Sequence, residues 1–113
     1  MIAKTVNLKI MRGDSYTIGI QVKGLEATPS AVYFSCKKDY GAVDYIFQKS
    51  LDSGITAESI EDGIRYAVSV DPADTKDIDA PLKYRYDFEI TVNGEIVTLL
   101  TGRLEVVPDV TRH

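Results

Sequence analysis

The sequence has one cysteine, one histidine and no tryptophan. With Cys36 alone, no intrachain disulfide can form, so the chain is expected to fold without oxidation, as in a reducing cytosol. The sole histidine is His113, the last residue, where chain ends fray and catalytic geometry is not held. That removes Ser-His-Asp and Cys-His arrangements, and Cys36, without an interior histidine to activate it, reads as an inert core thiol. Glycine-rich phosphate loops, dinucleotide fingerprints and Cys/His zinc spacings are also missing. A carboxylate pair drawn from distant strands is the one catalytic arrangement left open. The expectation is a protein that is not an enzyme and binds no cofactor or metal. Lys and Arg number 13 against 17 Asp and Glu, for a formal net charge of -4, and they are scattered. The basic footprint of a nucleic-acid binder is absent. No apolar run approaches a membrane span, and the N-terminus carries no secretory signal pattern. The sequence reads as a complete small cytosolic product, a single domain over residues 1–113.

What is present is a period of two. In residues 16–22, Tyr16, Ile18, Ile20 and Val22 fall on one face. Val32, Phe34 and Cys36 alternate with Tyr33, Ser35 and Lys37, and Ile64, Tyr66, Val68 and Val70 alternate with smaller or charged residues. In KYRYDFEITV, residues 83–92, Tyr84, Tyr86, Phe88, Ile90 and Val92 alternate with Lys83, Arg85, Asp87, Glu89 and Thr91. Each run predicts a strand with one face in a core and one in water. Asn93-Gly94 supplies the two positive-φ residues of a tight hairpin turn. Pairing about it sets Ile90 opposite Val97 and Phe88 opposite Leu99. The apolar positions then change parity, which predicts a β-bulge or a switch of sheet between Leu99 and Leu104, placed at Gly102. Asp71 as cap, Pro72 at the first helical position and Asp74 in the first turn predict one short helical turn near residues 72–77. Residues 24–30 and 51–63 read as loops, the second with room for a short strand. The sum is an all-β fold, an immunoglobulin-like antiparallel β-sandwich of about seven strands, with a small barrel as the alternative.

Among residues that carry chemistry, Arg12-Gly13-Asp14 is the adhesion-receptor tripeptide, but it lies between two strand segments and reads as a structural turn. The acidic run Asp71, Asp74, Asp77, Asp79 lacks the spacing of a calcium loop and reads as a capped turn with solvated carboxylates. Tyr33, Tyr40 and Tyr45, with Lys37 beside them, lie on an outward face or in the loop KKDYGAVDY; they are the candidate contact for a partner protein or a sugar.

Taken in order, MRGDSYTIGIQV, VYFSCKK, FQKSLDSGI, DGIRYAVSVDPADTKDI, YRYDFEI and LLTGRLEVVPDVT resemble the immunoglobulin-like domain at the N-terminus of phage baseplate upper proteins and related small virion proteins of tailed phages and prophages. The likeness runs over residues 10–111, and the tripeptide-like position of the family maps to Arg12, Gly13 and Asp14. It implies a non-enzymatic component of a virion assembled in the bacterial host cytoplasm, bound to other virion proteins, with a homo-oligomer expected. Baseplate upper proteins continue into a helical stalk and this chain stops after the domain, which points to an adaptor, decoration or tail-associated subunit. A carbohydrate-binding module that uses the exposed tyrosines is the alternative.

Overall fold

A computed structural model describes residues 3–110, so His113 lies outside the described residues. The strands are β1 (Lys4–Thr5), β2 (Leu8–Met11), β3 (Tyr16–Lys23), β4 (Ala31–Lys37), β5 (Tyr45–Leu51), β6 (Gly54–Ile60), β7 (Gly63–Val70), β8 (Leu82–Val92) and β9 (Glu95–Val107), with one short helix, α1 (Pro72–Thr75), between β7 and β8. Hydrogen bonding follows the order β1-β9-β8-β4-β5-β6-β7-β3, and β2 also runs parallel to β9. The path folds over at β5–β6, where only Ser50↔Gly54 and Leu51↔Ile55 pair. One layer is therefore β1/β2-β9-β8-β4-β5 and the other is β6-β7-β3. They face each other: Tyr66 of β7 and Phe88 of β8, distant along the path, have ring centroids 5.6 Å apart. The fold is an immunoglobulin-like β-sandwich.

The alternating residues fill the space between the layers. Val32, Phe34 and Cys36 of β4, Tyr66, Val68 and Val70 of β7, and Tyr84, Tyr86, Phe88 and Ile90 of β8 are all buried. Tyr84 donates its hydroxyl to the Asp79 carbonyl at 2.8 Å, the corner that ties the start of such a strand to the chain before it. In antibody domains a cysteine follows two residues later and packs, as part of the inter-sheet disulfide, on a tryptophan. Here the position is Tyr86, which stacks on Phe34 at 5.2 Å. That stack lies within the larger layer, and the aromatic contact across the layers is Tyr66 against Phe88. Burial pushes the Cys36 thiol up to about 12.

The hairpin at Asn93-Gly94, with φ of 52° and 79°, sets Val92 opposite Glu95 and Ile90 opposite Val97 as the pattern predicts. The bulge departs from expectation. The register shifts between Phe88 and Glu89, which face Leu100 and Thr98, so the extra residue is Leu99 and Gly102 pairs normally with Tyr86. Gly102 answers a different need. A Cβ there would lie 2.2 Å from the Val6 carbonyl oxygen, which passes over it and accepts the Tyr86 hydroxyl.

Two further expectations are corrected. Residues 54–60, read as part of a loop with room for a short strand, form the seven-residue β6. Only Ile55 of this strand is buried, so the period of two never shows. The helix closes at Thr75 rather than near residue 77, because fully buried Thr75 accepts the Gly13 N–H at 2.8 Å and the Ile78 N–H bonds back to its carbonyl.

Candidate functional site

The outer face of the larger sheet carries a concavity of about 350 Å³. Its floor comes from the outward residues of β4 (Tyr33, Ser35, Lys37) and β8 (Arg85, Asp87, Glu89), with Gln48 of β5 beside them. Tyr33 stands at one side, and Tyr40 and Tyr45 at the other. All three tyrosines are exposed, Tyr40 at 73%. A bulge puts Tyr45 there. The β4–β5 register shifts after Cys36↔Phe47 so that Lys37 pairs with Tyr45, with Ile46 as the extra residue. Residues paired across strands share a face, so Tyr45 is delivered to the outer side with Lys37. Simple alternation from buried Phe47 would have turned it inward.

Cations hold the tyrosine rings. The Lys37 ammonium lies 5.1 Å from the Tyr45 ring centroid and the Arg85 guanidinium 5.1 Å from that of Tyr40, both within cation–π range. Loop closure by the Gly41 N–H on Asp39 Oδ1 at 2.9 Å presents Tyr40. At the base, burial raises the Asp87 carboxyl above its usual range, and nearby Lys37 offsets part of that rise. The arrangement is an aromatic rim around a polar floor. It is suited to binding a partner by ring contact and hydrogen bonds, and it presents neither a nucleophile–base pair nor a metal cluster. Among the described residues no group of three or more His, Cys, Asp or Glu can hold a metal ion.

Tyr33, Lys37, Tyr40 and Tyr45, selected from the sequence, thus meet around one concavity. Arg85, Asp87 and Gln48 were not selected. The outward alternation of β8 marked the first two as solvent-facing, and nothing in the sequence placed them beside Tyr40.

The tripeptide is built into the fold. The Arg12 Nε donates to Asp109 Oδ1 at 2.8 Å, with the two side chains only 14% and 7% exposed, and Nη1 donates to the Ile78 carbonyl. Gly13, with φ of 80°, donates to Thr75. The Asp14 backbone N–H, rather than its carboxylate, closes the turn on the Met11 carbonyl at 3.2 Å. In the acidic run, Asp74 accepts the Asp71 backbone N–H at 2.7 Å, following Pro72 as first helical residue. The buried Lys49 ammonium spans Asp74 at 2.8 Å and Asp71 at 3.3 Å. Burial pulls the lysine down, but these carboxylates outweigh it and hold Lys49 above its ordinary value.

No family model matches the chain, and no curated protein matches its sequence. Solved structures match its fold. The extracellular domain of the voltage-gated sodium channel beta4 subunit aligns over 97% of both chains at 15% identity, with a TM-score of 0.51. A structure from work on multimeric cell-adhesive interactions of such beta subunits covers 95% of each chain at 14% identity and 0.50. An extracellular fragment of novel immune-type receptor 11 from Ictalurus punctatus covers 92% of this chain and 99% of its own at 13% identity, with a TM-score of 0.49. At such identities the likeness bears on architecture alone.

Proposed function

We propose that this chain is a non-enzymatic structural or assembly component of a tailed-phage or prophage particle, in its tail, baseplate or head surface, and that it acts through protein–protein contacts. The observation that carries the contact surface is the concavity rimmed by Tyr33, Tyr40 and Tyr45. Contact surfaces are enriched in tyrosine and arginine, and tyrosine supplies a large rigid ring at low cost in entropy. Here Lys37 and Arg85 already hold two of the rings in place, so less ordering remains when a partner arrives. The place in a particle rests on the ordered motifs shared with baseplate upper proteins. Its partners are other virion proteins, with assembly in the host cytoplasm. The test is mass spectrometry and antibody labelling of particles purified from a lysate of the strain that carries the gene. The chain is expected at a fixed ratio to the major structural proteins; particles without it contradict the proposal.

A second reading has one observation in its favour. Three tyrosines around one concavity, with Gln48, Asp87 and Glu89 in its lining, also supply the ring faces and hydrogen-bond acceptors of a sugar site. On a glycan array this reading expects binding that Tyr40→Ala abolishes, and an array with no bound glycan removes it.

A further inference from the structure

β3 is the end strand of the smaller sheet: among the described residues it pairs with β7 and with no other strand. The Gly24 N–H bonds the Asp62 carbonyl at the end of that ladder. In an antiparallel ladder hydrogen-bonded pairs alternate, so even-numbered residues face β7 and the N–H and C=O groups of Thr17, Gly19, Gln21 and Lys23 face the open side. Such a row is a ready template for another strand. Within Tyr16–Lys23 there is no proline or bulge and the only charge is Lys23 at its end, with Lys4 of β1 across a slot beside Gly19 and Gln21. The inward residues Tyr16 and Ile18 are left half-buried, beside that slot of about 280 Å³ between the layers, lined by Leu8, Ile18, Ile20, Phe34 and Leu100. β6 also has an open side, but its outer half is exposed and polar, so pairing there would cover little.

We infer that β3 is the interface to a second copy of this chain, paired antiparallel about a two-fold axis at Gly19. In that register the hydrogen-bonded pairs are Thr17 with Gln21 of the second copy, Gly19 with Gly19, and Gln21 with Thr17. These are the residues whose backbone groups are open. The inward pairs are then Ile18 with Ile20 and Tyr16 with Val22, apolar against apolar on the core side, and they cover the two half-buried side chains. Lys23 of each copy comes beside Ser15 and Asp14 of the other, so opposite charges meet at both ends. The two three-stranded sheets become one of six. Gly19 bears on this independently. A glycine inside a strand weakens it and often marks close approach of another backbone. Within this chain nothing lies within 4 Å of where its Cβ would be and its φ is not in the left-handed region, so the isolated fold does not require it. The interface is self-complementary, as a two-fold contact must be, and it lies on the smaller sheet, apart from the tyrosine-rimmed face.

Sedimentation equilibrium of the full chain over a wide concentration range tests this. The mass is expected to climb from 12.5 kDa toward twice that value. Thr17→Glu/Gln21→Glu places like charges opposite each other across the seam, while within one copy position 21 faces Arg65 of β7. It should weaken the dimer about tenfold or more with an unchanged circular dichroism spectrum. Thr17→Lys/Gln21→Glu pairs opposite charges in the same register and should restore it. Tyr45→Asp should leave the dimer intact. A wild-type chain that stays monomeric, a double-glutamate variant that dimerises normally, a swap that fails to restore, or a dimer lost in Tyr45→Asp would each overturn the inference.

Discussion

Asp87 shows what the fold asks of a single residue. It stands on β8 in the floor of the concavity, where burial penalises its charged form and Lys37 compensates only in part. Its folded pKa is raised, so the folded chain holds this proton more tightly than the unfolded chain does. Stability from this group is therefore present at acid pH and falls as pH rises through the carboxylate range. Asp87→Asn is expected to raise Tm at neutral pH, with the gain over wild type shrinking toward zero in acid. Calorimetry across that range checks it, and a gain that grows in acid would contradict the assignment. A strained carboxylate in a concave face is a common mark of a binding site. Sequence alternation placed Asp87 on the solvent side and gave no hint of this burial, because the tyrosine rim above it comes from a loop and a bulge.

Among the elements, the turn at Arg12-Gly13-Asp14 separates a motif from its use. Arg12 joins the chain's start to its end through Asp109 and ties to the helix region through Ile78, while the Asp14 side chain is exposed. Arg12 thus makes a largely buried ion pair and a hydrogen bond to a carbonyl, and a hydrogen bond that involves a charged group contributes about 1.5–3 kcal/mol. Arg12→Ala is expected to cost about 1.5–3 kcal/mol in chemical denaturation, whereas Asp14→Ala should stay within about 0.5 kcal/mol. Equal effects would contradict the reading. The strands with one wet face, β3, β4, β7 and β8, were legible because burial on one side imposes a period of two. β6 was legible only as a loop with room for a short strand, because it buries only Ile55. Bulges were the hardest to read. Parity required one in β9, but its position at Leu99 depends on how that strand meets β8, and the one that turns Tyr45 outward left no trace in the pattern. The tyrosines themselves could be selected as outward; that they meet with Arg85 and Asp87 is a property of three strands together.

At the scale of the whole molecule, an immunoglobulin-like sandwich stands here without the disulfide that staples antibody domains. Tyr66 against Phe88 joins the layers, while stacked Phe34 and Tyr86, the Tyr84 corner and Val6 laid over Gly102 bind strands and edges within the larger one. At 113 residues a core of this kind is large enough to fold without a cross-link. Among the described residues two surface regions are proposed as contacts, the tyrosine-rimmed face of the larger sheet and the open edge of β3, and the proposed assembly role would use each for a different neighbour. The central claim is that the tyrosine face attaches the chain to a particle. It is tested most directly by supplying tagged wild-type and Tyr40→Ala/Tyr45→Ala chains together during particle assembly and measuring their ratio in purified particles by mass spectrometry. The account predicts that wild type is incorporated and the variant is strongly depleted, though both are equally folded and abundant in the lysate. Equal incorporation would contradict it.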